Sequence, residues 1–479
     1  MRLAALLEHH DLGGADPVVT GLAIDHRKVA PGTIFGAFVG EKFNGEDYIA
    51  AAIAAGAIAI VARPEARVEG AVHIADANPR RAFAHIAARF FHRFPACCVA
   101  VTGTNGKTST VEMTRQLWRM AGFNAASIGT LGVTTSNERV VTGLTTPDIV
   151  TFLSNMSGLA AEGVTHAAFE ASSHGLDQYR TEGLPVKAAA FTNLSHDHLD
   201  YHGDMETYMA AKMRLFREVV DPAGTVVIWN DDIWSAAAEH EAKQRGLRIL
   251  TVGREGADLR LVSREPTQLG QSLLIQAGPL VQKVTLPLIG AYQVANALVA
   301  AGLVIATGGD AGQTLANLAR LQPVPGRLER AAITATGAPV YVDYAHTPDA
   351  IEAALDALRP HATGRLILVF GAGGDRDKDK RPEMGRVAAA KADVAIITDD
   401  NPRGEDAAEI RAAIAAGAPD ARVIGDRREA IAAAIAEARA DDIVCIAGKG
   451  HEQGQIVGRG DAMRVIPFDD VSVARECAA

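Results

Sequence analysis

The sequence predicts an α/β protein of three domains. Three observations support this prediction: the length of the chain, two breaks within it, and an alternation of strands and helices in its last third. The 479 residues correspond to roughly three domains at about 150 residues each. Breaks are expected at Phe94-Pro95 and at Gln322-Pro323-Val324-Pro325-Gly326, because proline and glycine interrupt helices and strands. We therefore expect domains over residues 1–95, 96–325 and 326–479.

The composition is that of an ordinary globular protein, with 48% hydrophobic and 22% charged residues. A net charge of −10 without a long basic stripe disfavours a nucleic-acid partner. No apolar run approaches about 18 residues, so we expect no membrane span. Charged residues interrupt the N-terminus too early for a signal peptide, and we expect a cytoplasmic protein.

The cysteines are expected to be structural rather than reactive. Cys97, Cys98, Cys445 and Cys477 form no Cys-x-x-Cys pair, which disfavours a zinc knuckle or a redox motif. The first three lie in short apolar runs, where buried and reduced thiols are expected. A chain of this length buries enough surface to fold without disulfides.

The first predicted domain is a small α/β unit. Its apolar runs are Val18-Val19 and Ile58-Ala59-Ile60-Val61, and an alanine-rich helical stretch extends from Tyr48 to Ala57. Short apolar runs next to a helical pattern favour a small sheet with helices packed against it.

The central domain begins with a strand, Cys97 to Val101, that leads directly into a glycine-rich loop, Thr102-Gly103-Thr104-Asn105-Gly106-Lys107-Thr108-Ser109, and then a helix. Such a loop binds phosphate, because its N–H groups and the helix N-terminus attract anions and its lysine reaches the terminal phosphates. The spacing is shorter than in the general P-loop, which would have glycine at Val101. We therefore expect a P-loop ATPase-like domain that binds ATP, with the Thr108 hydroxyl on Mg²⁺.

Candidate metal ligands follow the phosphate loop. Glu170 comes at the end of a predicted strand, Thr165 to Phe169, where a carboxylate suits Mg²⁺, although capping would also explain it. The segment Asn193 to His202 contains His196, His198 and His202 but no cysteine and no His-Glu-x-x-His frame, so it indicates zinc only weakly. A second Mg²⁺ site or surface histidines are the alternatives. Lys212, in a helical stretch, has the pattern of a solvated surface lysine.

Further strands of the central domain are predicted at Ala188 to Thr192 and Thr225 to Trp229.

In the C-terminal domain, strands and helices alternate more regularly. Alanine-rich helices such as Pro348 to Leu358 and Glu405 to Ala416 lie between apolar strands. This alternation predicts a parallel, doubly wound, Rossmann-like sheet. Its predicted strands are Val340 to Val342, Leu366 to Phe370, Val394 to Thr398 and Ile443 to Ala447.

Taken together, these motifs resemble the Mur ligase family from Asp25 to about Phe468. The resemblance rests on the phosphate loop, on Glu-x-Ser-Ser-His at 170–174, on Asp-His-Leu-Asp-Tyr-His at 197–202 and on Val-Asp-Tyr-Ala-His-Thr-Pro at 342–348. Gly-Ala-Gly-Gly-Asp-Arg-Asp at 371–377, Asp-Asn-Pro-Arg at 400–403 and Gly-Lys-Gly-His-Glu at 448–452 resemble the branch that adds meso-diaminopimelate.

That branch uses ATP and Mg²⁺ to join meso-diaminopimelate to UDP-N-acetylmuramoyl-L-alanyl-D-glutamate through an acyl phosphate, in peptidoglycan precursor synthesis. The resemblance implies the same two small-molecule substrates here. We expect no nucleic acid or membrane as partner, and we expect a monomer. The alternatives are the same reaction with L-lysine, another Mur or folylpolyglutamate-type ligase, and a non-catalytic nucleotide switch built on the same ATPase core.

The resemblance also implies roles for individual residues. For ATP these are Thr102, Gly103, Thr104, Asn105, Gly106, Lys107, Thr108, Ser109, Asn296, Arg327 and Asp343. For the UDP substrate they are Ile24, His26 (where the family usually has serine), Thr145, Thr146, Ser172, Gln178 and Arg180. For meso-diaminopimelate they are Arg376, Asp400, Asn401, Pro402, Arg403, Gly448 and Glu452. The implied metal ligands are Thr108, Glu170, His198 and Lys212 as a carbamate, and the implied catalytic residues are Lys107, Lys212, His198 and Arg327.

Overall fold

The computed structural model describes residues 1–7, 16–40, 43–140, 144–267, 269–375 and 377–479. The chain divides into two compact units. The first contains Met1–Leu259 and Val299–Ala311, and the second contains Arg260–Leu298 and Gly312–Ala479. The α/β class predicted from the sequence is confirmed in both units. The predicted domain boundaries at 95/96 and 325/326 stay predictions.

The N-terminal part of the first unit is a four-stranded parallel sheet in the order β1-β2-β3-β4. Asn78 caps the helix that begins at Pro79, because its side-chain oxygen accepts a hydrogen bond from the Arg81 N–H. Proline fits this first turn, where a backbone N–H would have no partner within the helix. The apolar run Val18-Val19 precedes β1, and Val18 forms an isolated antiparallel bridge with Arg2. The elements are β1 (Gly21–Ala23), β2 (Thr33–Gly36), α1 (Ile49–Ala54), β3 (Ala57–Ala62), β4 (Val72–Ala75) and α2 (Pro79–Phe91).

The rest of the first unit is a second, larger sheet with β5 near its middle. Its strands run in the order β12-β11-β10-β5-β9-β6-β7-β8, and the pairs from β12 to β6 are parallel. The elements are β5 (Cys97–Thr102), α3 (Lys107–Met120), β6 (Ala125–Gly129), β7 (Gly132–Thr134), β8 (Arg139–Val140), α4 (Ile149–Ala161), β9 (His166–Glu170), α5 (Ser173–Asp177), β10 (Val186–Phe191), α6 (Leu199–His202), α7 (Met205–Arg214), β11 (Val220–Trp229), α8 (Ser235–Gln244) and β12 (Arg248–Gly253).

Every residue of β5 is buried, which explains why this strand is a continuous apolar run rather than an alternating one. The loops that follow β5, β9 and β10 leave the sheet at the same edge, since these three strands are parallel neighbours. Ligands of open α/β sheets bind at this edge.

The second unit contains three antiparallel strands and a six-stranded sheet in the order β16-β17-β21-β18-β19-β20, parallel except for β16. The elements that belong wholly or partly to this unit are β13 (Leu259–Thr267), β14 (Gly270–Ala277), β15 (Leu280–Leu286), α9 (Ala291–Ala306), α10 (Ala311–Asn317), β16 (Glu329–Ile333), β17 (Pro339–Asp343), α11 (Pro348–Leu358), β18 (Leu366–Phe370), α12 (Lys380–Lys391), β19 (Val394–Ile397), α13 (Ala407–Ala415), β20 (Arg422–Val423), α14 (Arg427–Glu437), β21 (Ile443–Ala447), β22 (Gly454–Val457), β23 (Arg464–Pro467) and α15 (Asp470–Ala478).

Helices cover both faces of this six-stranded sheet, as the doubly wound prediction requires. Along β18, Leu366, Leu368 and Phe370 pack with α11, α12 and α13, whereas Ile367 and Val369 pack with α14 and α15. A strand covered on both sides has no polar face, so it can be recognised from sequence as an apolar run. In the described ranges, no helix has both the length and the apolar character needed to cross a bilayer.

Candidate active site

The loop between β5 and α3 has the backbone that a phosphate site needs. Gly103 and Gly106 have φ values of 147° and 84°, which L-residues rarely adopt. A Cβ on Gly103 would also overlap the Thr192 hydroxyl. Because α3 begins at Lys107, directly after this loop, its first N–H groups lack helical partners and can bind an anion.

Two of the predicted residues, Lys107 and Lys212, meet at this loop. The Lys107 Nζ donates to the carbonyls of Gly103 at 2.9 Å and Thr104 at 2.8 Å. The Lys212 Nζ, from α7, donates to the same Gly103 carbonyl at 2.8 Å. Lys212 is only 1% exposed, so the pattern of a surface lysine was misleading.

The surroundings of Lys212 favour its neutral form. Burial and the nearby Lys107 cation hold the pKa of the Lys212 amine well below its ordinary value. Its Nζ lies 4.2 Å from the centre of the Tyr208 ring, and the Tyr208 hydroxyl lies 3.3 Å from Thr104 Oγ1. The amine is therefore held between the phosphate loop and an aromatic face.

Glu170 is held in place at the carboxyl end of β9. The Thr130 N–H donates to Glu170 Oε1 at 2.7 Å, and the Thr130 hydroxyl donates to Oε2 at 3.3 Å. The Thr130 hydroxyl also lies 3.1 Å from that of Thr145, one of the predicted substrate residues. Gly129 leaves room for this carboxylate, since a Cβ there would overlap it.

Four predicted substrate residues form one hydrogen-bond network beside Glu170. The Thr146 hydroxyl donates to the Glu170 carbonyl at 2.8 Å and accepts from the Ser172 N–H at 3.2 Å. Arg180 donates from Nη1 to the Thr146 carbonyl at 2.8 Å and from Nη2 to Gln178 Oε1 at 2.7 Å. The structure therefore brings together side chains that the sequence spreads over more than one loop.

An aromatic cluster continues from this network. The Gln178 amide donates to the Tyr201 hydroxyl at 3.3 Å, and the Tyr201 ring centre lies 4.2 Å from that of His174. The His174 ring is 4.9 Å from the ring of His198, which is 6.2 Å from the ring of Tyr208. Successive contacts thus connect the predicted substrate residues to the buried lysine.

The other residues predicted for the phosphate loop extend from the end of β5 to the first turn of α3. Thr102 ends β5, and its buried hydroxyl has no hydrogen-bond partner among the residues described. Thr108 and Ser109 are buried in the first turn of α3, and the Asn105 N–H donates to Asn193 Oδ1 at 2.9 Å. Within the described ranges, no three His, Cys, Asp or Glu side chains form a metal-binding group. The predicted Mg²⁺ ligand set, which contains two residues of these types, stays a prediction.

The predicted uracil region lies in the segments that follow β1 and precede α1 in the N-terminal part of the first unit. The His26 ring stacks on the Tyr48 ring with 4.3 Å between the centres and 7° between the planes. Ile24, two residues earlier, is 36% exposed. Stacked, partly exposed rings are suited to bind a planar base.

In the second unit, hydrogen bonds join the other predicted ATP residues. The Asn296 amide donates to Gln293 Oε1 at 3.3 Å, and the Gln293 amide donates to the Arg327 carbonyl at 3.0 Å. The N–H of the next residue, Leu328, donates to Asp343 Oδ2 at 2.7 Å, and burial raises the pKa of the Asp343 carboxyl. Arg327 Nε has no hydrogen-bond partner within the described residues, which leaves it free for an anion.

The predicted amino-acid site is a charged cluster after β19 and β21. The Lys449 Nζ, fully buried, donates to Asn401 Oδ1 at 3.0 Å and lies 3.5 Å from Asp400 and 3.4 Å from Glu452. The Asn401 amide donates to Glu452 Oε2 at 2.8 Å. At Gly448, with φ of 119°, a Cβ would approach Asp400 Oδ2 to 3.0 Å.

Arg403 lies beside this cluster in a left-handed conformation, with φ of 52°. Its backbone is fixed by β22, since its N–H donates to the Ile456 carbonyl at 3.0 Å and its carbonyl accepts from the Gly458 N–H at 2.7 Å. Its Nη1 donates to the Gly374 carbonyl at 3.0 Å. The side chain is only partly buried and keeps donors for a ligand carboxylate.

Two further residues are predicted to bind the amino-acid substrate. Pro402 is buried, and Arg376 lies outside the described residues.

Sequence reasoning missed Tyr208 and Lys449. Tyr208 precedes Lys212 by four residues on α7, and this spacing, which places two side chains on one helix face, was the available signal. Lys449 lies within the glycine-rich motif that carried the resemblance, but no role was assigned to it.

Comparisons with known proteins identify the family to which each part of the chain is similar. The family model described as Mur ligase family, catalytic domain matches residues 18–91, the Mur ligase middle domain matches 101–304, and the Mur ligase, glutamate ligase domain matches 326–450. The three domains of the family therefore follow one another along the chain in the predicted order.

Relatives that share one name are similar to this chain over almost its whole length. The UDP-N-acetylmuramoyl-L-alanyl-D-glutamate--2,6-diaminopimelate ligase of Zymomonas mobilis subsp. mobilis is 60% identical over 461 residues, 96% of this chain and 95% of the relative. The ligase of that name from Bradyrhizobium diazoefficiens is 53% identical over 456 residues, 94% of this chain and 93% of the relative.

A solved structure of a ligase of that name is 32% identical, with a TM-score of 0.76, and the match covers 100% of this chain and 98% of the other. The fold, the three family domains and the identity to these relatives thus agree. The chain belongs to the Mur ligase family.

Proposed function

We propose that this chain is an ATP-dependent ligase that joins meso-diaminopimelate to UDP-N-acetylmuramoyl-L-alanyl-D-glutamate in the synthesis of peptidoglycan precursors. The observation that carries the proposal is the charged cluster of Asp400, Asn401, Lys449 and Glu452 with Arg403 beside it. This cluster has cations and anions for both the ammonium and the carboxylate groups of a zwitterionic amino acid. The names of the relatives support the same reaction.

The chemistry explains why a phosphate loop is needed. A carboxylate and an amine do not condense at neutral pH, because the carboxylate is a poor electrophile without a leaving group. Transfer of the γ-phosphoryl group from ATP to the substrate carboxylate makes an acyl phosphate. The amine then attacks this carbonyl, and phosphate leaves. Such a reaction is catalysed mainly by positioning and by charge.

The residues of the chain supply that charge and positioning. Lys107 and the first N–H groups of α3 would bind the terminal phosphates of ATP. Arg327, whose Nε has no hydrogen-bond partner in the described part of the chain, would add a guanidinium for phosphate. Thr146, Ser172, Gln178 and Arg180 would bind the muramoyl dipeptide through the network they already share.

The donor set on the first unit fits Mg²⁺, a hard cation that prefers oxygen ligands. The Glu170 carboxylate and the Thr108 hydroxyl are such ligands, and Lys212 as a carbamate would add another carboxylate-like group. His198 would be the nitrogen ligand. When bound, Mg²⁺ would neutralise phosphate charge during the transfer.

Gly129→Ala should raise the enzyme's requirement for Mg²⁺. The new methyl group would overlap the Glu170 carboxylate and displace it. We expect the Mg²⁺ concentration for half-maximal activity to rise about 10–100-fold, the range seen when a metal ligand is misplaced. Gly158→Ala, in α4, is the matched control, because nothing lies within 4 Å of a Cβ there. An unchanged Mg²⁺ requirement in Gly129→Ala would remove Glu170 from the ligand set.

The proposed function is tested by ATP-dependent phosphate release with UDP-N-acetylmuramoyl-L-alanyl-D-glutamate, comparing meso-diaminopimelate with L-lysine. We expect release with meso-diaminopimelate only. Release with lysine would keep the ligase reaction and overturn the specificity. Release with neither would favour another Mur or folylpolyglutamate-type ligase, or a nucleotide switch without catalysis.

The location and oligomeric state are also proposals. We propose a cytoplasmic enzyme, because the reaction consumes ATP, and we propose that it is a monomer. Sedimentation velocity at several concentrations checks the second point, and a single species of about twice the chain's mass would contradict it.

A further inference from the structure

The helices α14 and α15 are joined by an ion pair that is fully buried. Arg427, the first residue of α14, donates from Nε to Asp470 Oδ1 at 2.7 Å and from Nη2 to Asp470 Oδ2 at 2.6 Å. Both side chains have 0% exposure. Neither residue belongs to a motif that the sequence analysis singled out.

Fold stability alone explains this pair poorly. Burying two charges costs desolvation energy, and apolar residues of similar size often replace such pairs without loss of stability. A cation at the N-terminus of a helix is also unfavourable, because that end carries partial positive charge. The same two helices are joined a second time at the surface, by the exposed pair Arg428 and Glu476.

The remaining donors of Arg427 point to a different role. Its Nη2 donates to the Ala447 carbonyl at 3.0 Å, and its Nη1 donates to the Asp399 carbonyl at 3.3 Å. Ala447 ends β21 and precedes Gly448, while Asp399 follows β19 and precedes Asp400. One guanidinium therefore binds both segments that carry residues predicted to bind the amino-acid substrate. These segments follow β19 and β21, which are separated in the sheet by β18.

The charge of Arg427 also acts on that cluster. Burial lowers the pKa of its guanidinium, but Asp470 and, after it, Asp400 and Glu452 outweigh this effect and raise the pKa above its ordinary value. The Arg427 cation is therefore attracted to two carboxylates that lie beside Lys449.

We propose that Arg427, oriented by Asp470, is a positioning residue for the amino-acid substrate: it fixes the distance between the Asp400–Arg403 segment and the Gly448–Glu452 segment. Arg427 itself is fully buried and acts through the residues that it holds. This inference rests on the proposed function, since it assumes that these two segments bind the incoming amino acid. It predicts that losing the pair weakens binding of that substrate alone.

The test replaces the pair by apolar residues, Arg427→Met with Asp470→Leu, so that no buried charge is left unpaired. We expect the KM for meso-diaminopimelate to rise about tenfold, within the range of couplings in one hydrogen-bond network. The KM values for ATP and for UDP-N-acetylmuramoyl-L-alanyl-D-glutamate should stay within about twofold of those of the unmodified enzyme. The matched control, Arg428→Ala with Glu476→Ala, removes an ion pair between the same helices and should leave all three KM values unchanged.

A merely structural role would give a different result. It would lower the melting temperature and the active fraction and leave the KM for meso-diaminopimelate unchanged, and this outcome would overturn the proposal. An equal rise in all three KM values would overturn it too. If the double variant does not fold, Arg427→Lys decides, because it keeps the charge that pairs with Asp470 but cannot donate to the Ala447 and Asp399 carbonyls at once. A rise in the KM for meso-diaminopimelate alone is expected there, and an unchanged KM overturns the proposal.

Failure of the proposed function is distinguishable from failure of this inference. The unmodified enzyme and the Arg428/Glu476 variant must both release phosphate with meso-diaminopimelate. If they do not, the proposed function fails. If both release phosphate and the Arg427/Asp470 variant has the same KM for meso-diaminopimelate as they do, the proposed function holds and the inference alone fails.

Discussion

Lys212→Met should abolish most of the activity while the protein stays folded. The methionine replaces a buried amine whose pKa is lowered by burial and by Lys107, so removing it relieves a desolvation cost rather than leaving a gap. We expect kcat to fall about 10²–10³-fold, the effect of removing one electrostatic group from an active site. The melting temperature should stay the same or rise.

The carbamate predicted at Lys212 makes a second measurement possible. Carbon dioxide adds only to the neutral amine and releases a proton, and a lowered pKa provides that form. Activity should fall in buffer depleted of carbon dioxide and return with bicarbonate. A short-chain carboxylic acid should partly rescue Lys212→Ala. Full activity of Lys212→Ala without any addition would reject the role.

Lys187 provides the matched control for these experiments. It is exposed, and its hydrogen bond to Asp221 raises the pKa of its amine, so it stays protonated. Lys187→Ala should therefore keep full activity and respond to bicarbonate as the unmodified enzyme does. A loss in this variant would show that the effect at Lys212 is general to lysine removal.

Arg403→Ala should lose the turnover of meso-diaminopimelate while ATP binding survives. The guanidinium is planar and matches a carboxylate with two parallel donors, whereas L-lysine has no second carboxylate to offer. We expect kcat/KM for meso-diaminopimelate to fall about 10²–10³-fold, or about 3–4 kcal/mol of transition-state stabilisation. Steady-state kinetics with ATP affinity measured separately checks this.

The control for Arg403 is Arg422→Ala, which removes an exposed arginine paired with Glu437 in the same unit. Such surface pairs contribute little, so its kinetics should match those of the unmodified enzyme. If Arg403→Ala retains meso-diaminopimelate turnover, the second carboxylate of the substrate is bound elsewhere. Equal use of meso-diaminopimelate and L-lysine by Arg403→Ala would show that the arginine selects between the two rather than drives binding.

Sequence reasoning succeeded where a local pattern is sufficient. The observed bounds of β18 and β21 match the predicted ones, because a strand buried on both faces is a short apolar run between breaks. The helix α11 also matches, since Thr347 caps it and Pro348 begins it. The phosphate loop was recognisable because its glycines and lysine are contiguous.

Contacts between distant segments could not be predicted in this way. Lys212 is 109 residues from the Gly103 carbonyl that it binds, and Arg427 is 43 residues from Asp470. No local sequence pattern distinguishes a buried lysine of this kind from a lysine that is exposed to solvent. Only the packing of α7 against the phosphate loop shows that its amine is buried, and only the fold shows which of two adjacent arginines, Arg427 or Arg428, lies inside.

The left-handed backbone of Arg403 has a consequence for enzyme engineering. A non-glycine residue with φ of 52° costs of order 1 kcal/mol, and here the hydrogen bonds to Ile456 and Gly458 hold it. The direction of the guanidinium is therefore set by a backbone turn and by β22, not by the choice of side chain alone. To make the enzyme use another amino-acid substrate, the whole turn would have to be exchanged together with its supporting strand. A single substitution at Arg403 would lower the activity without changing the substrate that the enzyme prefers.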